Sequence, residues 1–294
     1  MKPAALIVNP FASAVTSDRL ASVEAELRRS FELAVTLTES PRHATELARD
    51  ADDVDCVFVY GGDGLLNEVL NGIGDHPVGV VPGGRTNVVA RALGLPIDPV
   101  AAARALLEAR PRRVTLGRVN GRRFAFAAGL GFDAELVRRV DALGRSNDGR
   151  RPGDVAFTWE AVKLLAGRRA RYEPALDVEG FGRAAFALVA NTDPYSYAGG
   201  RPLRVAPEAR FELGLDFVAP ERVSARTVPR LLAYAFRGSG QQHADDVLYG
   251  HDLDRIVVRC DRPLALQVDG EDLGDVGEAV FEAERDAISL LAPD

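Results

Sequence analysis

Short apolar runs rich in β-branched residues alternate with amphipathic stretches over the first third of the chain. Residues 4–8, 33–38, 54–60 and 78–81 are apolar at nearly every position, the pattern of strands covered on both faces. Between them, residues 18–31 place Leu20, Val23, Leu27 and Phe31 at helical spacing, and 43–50 and 65–73 repeat that period. Strand–helix alternation of this kind predicts a parallel sheet with helices on its faces, an α/β domain. Residues 88–93 and 99–109 read as further helices.

The pattern then changes. Residues 114–119 and 122–128 flank Asn120-Gly121, the dipeptide that most favours a two-residue hairpin turn. Strand-like runs follow at 176–178, 184–190, 213–218, 255–260, 264–268 and 280–284, with helical stretches at 134–140, 155–166 and 225–236. The prediction is an α/β domain over 1–115 and a β-rich, mainly antiparallel sandwich domain over 116–294, with the last residues free to pack back on the first domain. Residues 144–153, holding Ser146-Asn147-Asp148-Gly149 and a proline, read as a mobile loop.

Composition narrows the class. A chain of 294 residues is long enough for two cores, and 47% apolar with 27% charged residues is ordinary globular usage. The net charge of -7 argues against a general nucleic-acid binder. The first residues lack the features of a signal peptide, and no apolar run reaches the ~18 residues that span a bilayer. A cytoplasmic chain is expected, either soluble or peripheral at the inner membrane surface. Cys56 and Cys260 sit in apolar runs and read as core thiols, and the four histidines show no ligand spacing.

The chemistry gathers in loops that follow strands. Gly61-Gly62-Asp63-Gly64 leads into a helix whose Leu66, Val69, Leu70 and Ile73 share one face. Glycines let backbone N–H groups approach phosphate oxygens, and a helix N-terminus adds positive potential. Asp63 is unexpected beside phosphate unless it binds a metal ion or accepts a proton; the bland alternative is a tight turn with a capping aspartate. Pro82-Gly83-Gly84-Arg85-Thr86-Asn87 is a second such loop, with Asn87 a plausible N-cap. Asn9-Pro10-Phe11-Ala12-Ser13 is a third. In a parallel sheet all three open at one edge, where ligands usually bind.

These loops contain neither the dinucleotide fingerprint nor the Walker pattern, and the chain has no G-x-S-x-G elbow. Their order, with Asn67-Glu68-Val69 and Ala90-Arg91 behind them, resembles the diacylglycerol kinase catalytic-domain family, which includes bacterial lipid kinases and sphingosine kinases. The resemblance continues through Gly129-Leu130-Gly131-Phe132-Asp133, Ala190-Asn191, Gly199-Gly200, Pro207-Glu208-Ala209 and Val268-Asp269-Gly270-Glu271. It implies an ATP-binding first domain, a lipid-accepting second domain and a site in the cleft between them. By the same resemblance Asn9, Pro10, Ser13, Thr38, Gly61, Gly62, Gly64, Glu68, Arg85, Thr86 and Asn87 surround the nucleotide. Glu271 matches the family's general base, with Asp63 its competitor, and Asp133 lies near the acceptor's head group unless it simply caps its helix. Mg²⁺ is expected with ATP, on Asp63 or Asp269.

The chain departs from the family pattern at three places. Leu65 replaces a threonine, Arg85 replaces another unless Thr86 takes its part, and Leu213 stands where some bacterial members hold a structural magnesium. Three functions are therefore weighed: a lipid kinase acting on a diacylglycerol-like or sphingoid hydroxyl, an NAD kinase with the same loop, and a catalytically weak relative that binds nucleotide or lipid. Residues 163–171 join an apolar helix end to a basic cluster and can touch an anionic bilayer or simply end a helix. A homodimer is compatible with the sequence.

Overall fold

The computed structural model describes residues 1–144, 154–167, 171–198 and 200–293. The predicted loop at 144–153 therefore lies outside the described residues from 145 onward, as do 168–170 of the basic stretch and Gly199. The chain forms two compact units, Met1–Leu116 with the chain end from Asp286, and Gly117–Arg285.

In unit 1, β1 (Lys2–Val8), β2 (Phe31–Leu37), β3 (Cys56–Gly61) and β4 (Val78–Pro82) pair in parallel in the order β2-β1-β3-β4. They alternate with α1 (Ser17–Leu27), α2 (His43–Arg49), α3 (Asp63–Leu70), α4 (Val88–Ala92) and α5 (Pro99–Leu106). All residues of β3 and β4 are buried, as the unbroken apolar runs require when helices cover both faces. The first helix is shorter than its periodicity predicts. It ends at Leu27, and Phe31 opens β2, where its ring meets Phe58 edge-on at 5.1 Å. Tertiary packing of an aromatic ring here outweighs an i,i+4 repeat. Helix α3 starts two residues before the predicted 65, because Gly62 takes the extended cap conformation.

Strand β5 (Arg110–Val119) carries the chain into unit 2, followed by β6 (Arg122–Phe124), β7 (Ala127–Leu130), α6 (Phe132–Ala142), α7 (Asp154–Gly167), β8 (Leu176–Val178), β9 (Gly182–Ala184) and β10 (Ala187–Ala190). Then come β11 (Ser196–Ala198), β12 (Arg201–Leu203), β13 (Leu215–Pro220), α8 (Val228–Arg237), β14 (Val247–Leu253), β15 (Arg255–Val268) and β16 (Glu271–Ala292), whose last residues belong to unit 1. The described strand pairs of unit 2 are antiparallel, with β14-β13-β10-β7-β15 in sequence across its sheet. Asn120 and Gly121, at φ 48 and 89, make the tight turn between β5 and β6.

The predicted strand 122–128 is two strands, broken at Ala125–Phe126, whose N–H groups leave the ladder to bond a side chain described below. Strands β11, β12 and β14 carried no signal in the sequence pattern; β11 and β12 are three residues each, too short to show a period. Phe124, Phe217, Phe281, Leu266 and Val268 are core residues of this unit, and each such side chain contributes about 1.5–3 kcal/mol on burial. A second cluster, Leu164, Tyr172, Ala185, Phe186 and Val223, is packed by Phe132 and Leu136 of α6, Leu165 of α7 and Leu231 of α8.

Candidate functional site

The loops that follow β1, β3 and β4 are bound to one another through their backbones. Asn9 N–H donates to Tyr60 O at 3.0 Å, Gly83 N–H to Gly61 O at 2.7 Å, and Ala14 N–H to Gly83 O at 2.9 Å. The glycines are needed because main chain meets main chain. A Cβ on Gly84 would lie 2.6 Å from the Gly62 Cα, and one on Gly83 would lie 2.9 Å from the Gly61 Cα. Gly64 differs: nothing lies within 4 Å of its would-be Cβ, and it is exposed in the first turn of α3. No internal packing explains that glycine.

The cap that the sequence assigned to Asn87 is supplied by Asp63. Asn87 occupies the cap position of α4 in a left-handed conformation, φ 50, but makes no side-chain cap bond. Its amide closes the second loop instead, Oδ1 accepting from Gly84 N–H and Nδ2 donating to Gly84 O, both at 2.9 Å. The cap on α4 comes from Asp63 of the first loop, whose carboxylate accepts Val88 N–H at 3.1 Å and Val89 N–H at 3.2 Å. Burial pushes the Asp63 carboxyl upward, and these N–H bonds pull it back.

The remaining predicted residues of this unit surround the three loops less tightly. Asn9 Oδ1 accepts Phe11 N–H at 2.9 Å, holding its own turn, and Pro10 is half-buried beside it. Thr38 is buried just past β2, its N–H on Val8 O at 2.8 Å. Ser13 and Arg85 are exposed and Thr86 half-buried, its carbonyl accepting Arg91 Nε–H at 2.9 Å. Glu68 is half-buried on α3. Leu65, in place of a threonine, is buried and lies over Gly61, where a Cβ would meet its Cδ2 at 2.6 Å.

In unit 2, Glu271 opens β16 and its carboxylate, half exposed, pairs with Arg122 at 3.0 Å. Asp269 is 7% exposed and takes three backbone donors: Ala125 N–H at 2.6 Å, Phe126 N–H at 3.0 Å and Ala127 N–H at 3.1 Å. These are the groups missing from the interrupted strand. Asp133 is in the first turn of α6 and makes no cap bond; its Oδ2 accepts from Tyr195 O–H at 2.7 Å and Gln267 Nε2 at 2.6 Å. Burial pushes the Asp133 carboxyl up against those two bonds.

Sequence reasoning passed over His251. Its Nδ1 lies 2.9 and 3.0 Å from the two oxygens of Asp216, which is fully buried and also accepts Asp252 N–H at 2.9 Å. Burial pushes the Asp216 carboxyl up against these bonds, and that carboxylate raises the imidazole. The pair spans β13 and β14, so no local spacing could reveal it. Among the described residues no group of three His, Cys, Asp or Glu side chains could hold a metal ion, and both Asp63 and Asp269 spend their oxygens on N–H groups. Both cysteines are free, and burial pushes their thiols up to about 12 for Cys56 and about 11 for Cys260, which keeps them inert.

Residues 3–119 match the family model for the diacylglycerol kinase catalytic domain, and 127–292 match that for the YegS C-terminal NAD kinase beta sandwich-like domain. A diacylglycerol kinase of Staphylococcus saprophyticus is 30% identical over 283 residues, covering 92% of this chain and 89% of the relative. A diacylglycerol kinase of Bacillus subtilis (strain 168) is 28% identical over 286 residues, covering 92% and 90%. A crystal structure of a diacylglycerol kinase from Bacillus anthracis superposes with a TM-score of 0.74 at 18% identity, over 99% of this chain and 97% of the other, a likeness of fold.

Proposed function

The chain belongs to the diacylglycerol kinase catalytic-domain family, and we propose that it transfers the γ-phosphoryl group of ATP to the hydroxyl of a diacylglycerol-like or sphingoid lipid. The observation that carries this reading is the interlocked pair of glycine loops with open space over Gly64. In it, unit 1 holds the nucleotide. N–H groups at the start of α3 receive phosphate oxygens, and the exposed Arg85 adds a charge-assisted contact. Asn9, Thr38, Glu68 and Thr86 line the same sheet edge. Asp63 acts through Val88 and Val89, keeping the second loop against the first. Magnesium supplies charge neutralisation to the phosphates when bound with ATP.

Unit 2 holds the acceptor. A lipid hydroxyl is a weak nucleophile, and Glu271 is the carboxylate that takes its proton as the oxygen attacks. Arg122 holds that side chain in place until the acceptor arrives. Because the acceptor is a lipid, the protein must meet a bilayer. No described helix is long and apolar enough to cross one, but one side of α7 exposes Trp159 and Val162, with the Lys163 ammonium 5.7 Å from the Trp159 ring centre. Such a face suits peripheral contact with an anionic surface.

Radiolabelled ATP supplied with a panel of diacylglycerol, monoacylglycerol and sphingoid acceptors tests the reaction; labelled lipid is expected, and its absence from every arm overturns the reading. Glu271→Gln is expected to lower turnover by about 10²–10⁴-fold with ATP binding unchanged.

A further inference from the structure

The turn that carries Glu271 has a second anchor besides Asp269. Its central residues Asp269 and Gly270 both have left-handed backbones, φ 48 and 81, the two-residue geometry that pairs Val268 with Glu271. The Gly270 N–H turns inward and donates to Gln267 Oε1 at 2.8 Å. Gln267, on β15, is 3% exposed, and the far end of its amide is fully engaged as well. Nε2 donates to Asp133 Oδ2 at 2.6 Å and to the Tyr195 hydroxyl oxygen at 3.1 Å, while the Tyr195 O–H donates to the same Asp133 oxygen at 2.7 Å.

The Gln267 amide has one workable orientation, and the Tyr195 hydroxyl also lies 3.3 Å from Ala128 O. Turning the Gln267 amide over would set its carbonyl against the Asp133 carboxylate and its NH₂ against the Gly270 N–H. Tyr195 stays a donor, because burial and the adjacent carboxylate push its hydroxyl far above the usual range. The site is also built for Asp133. A Cβ on Gly129 would lie 2.2 Å from Asp133 Oδ2, so the glycine supplies the volume that the carboxylate fills. The buried Asp133 carboxyl thus orients a buried amide, and the amide orients the backbone one residue before Glu271.

We propose that Gln267 is a positioning residue: with Asp133 and Tyr195 behind it, it locks the Asp269-Gly270 turn in the geometry that presents Glu271 to the acceptor hydroxyl. The inference rests on reading Glu271 as the general base. It gives the Gly129–Asp133 motif an internal task, because the carboxylate serves the turn.

The test is a double-mutant cycle with turnover, KM and amide exchange as readouts. Gln267→Met keeps the volume and removes the hydrogen bonds. A fall in kcat of about 10–100-fold is expected, with KM for ATP and lipid within about twofold and faster hydrogen exchange at the Gly270 amide. The double variant Gln267→Met, Glu271→Gln should be no slower than Glu271→Gln alone, because a residue acting through Glu271 has nothing left to position. Multiplying losses in the double variant, or wild-type kcat in a folded Gln267→Met, overturns the proposal. Where Gln267→Met does not fold, Tyr195→Phe replaces it in the same cycle, with a kcat loss of about 3–10-fold expected and wild-type kcat overturning. If Glu271→Gln alone keeps full activity, the base reading falls with the catalytic half of the inference, and unchanged Gly270 exchange in Gln267→Met overturns the turn-locking half independently.

Discussion

Asp63 and Asp269 were interchangeable candidates for magnesium, and the structure puts both to work on backbone N–H groups in different settings. Asp63 joins two loops that each begin a helix, and its donors, Val88 and Val89, carry the positive end of α4. Asp269 sits in a hairpin turn and repairs a strand break, its three donors consecutive at Ala125, Phe126 and Ala127. The first clamp borders the exposed Gly64 and bears on what the loops bind. The second is enclosed and bears on whether the turn before Glu271 exists. A carboxylate in a glycine loop is therefore no sign of chemistry by itself; where its acceptor capacity goes decides its role.

The contrast is broken most directly at Asp269. Asp269→Ala strands three buried N–H groups and is expected to lower unfolding free energy by about 3 kcal/mol or more, read from urea denaturation. A smaller loss than at Asp63 would erase the distinction. Asp63→Ala removes one helix cap and should cost about 1–2 kcal/mol while weakening ATP binding, measured by calorimetry. Unchanged nucleotide affinity there would mean that the second loop keeps its place unaided.

Two other carboxylates sharpen the picture with smaller effects. Glu271 is half exposed, so Arg122→Gln should change stability by less than about 1 kcal/mol even though it frees the side chain. Asp216 differs from both clamps because one of its donors titrates. Asp216 raises the His251 pKa, so the stability this pair contributes is fully present below about pH 6.5 and is lost as pH rises through the raised value. Thermal melting from pH 6 upward should show that decline in the wild type and a flatter profile in His251→Gln. Parallel profiles would remove the pair from the account.

Hydrophobic period and glycine placement were enough to read the parallel sheet, the antiparallel remainder and the loops at one sheet edge, because those signals are local. A buried strand needs an unbroken apolar run, and a backbone-to-backbone contact needs residues without Cβ. The use of each polar group was not legible. Val88 and Val89 lie 25 and 26 residues from Asp63, and the donors to Asp269 lie 142 to 144 residues away. Gln267 and Asp133 are separated by 134 positions. Hydrogen bonds across such distances have no period, and they form only where strand register brings donor and acceptor together. The sequence by itself determined which segments become strands, helices and tight turns, through side-chain volume and backbone freedom. Only the tertiary structure decided that Asp63 caps a helix outside its own loop, that Asp269 mends a strand, and that Gln267 links Asp133 to the turn before Glu271.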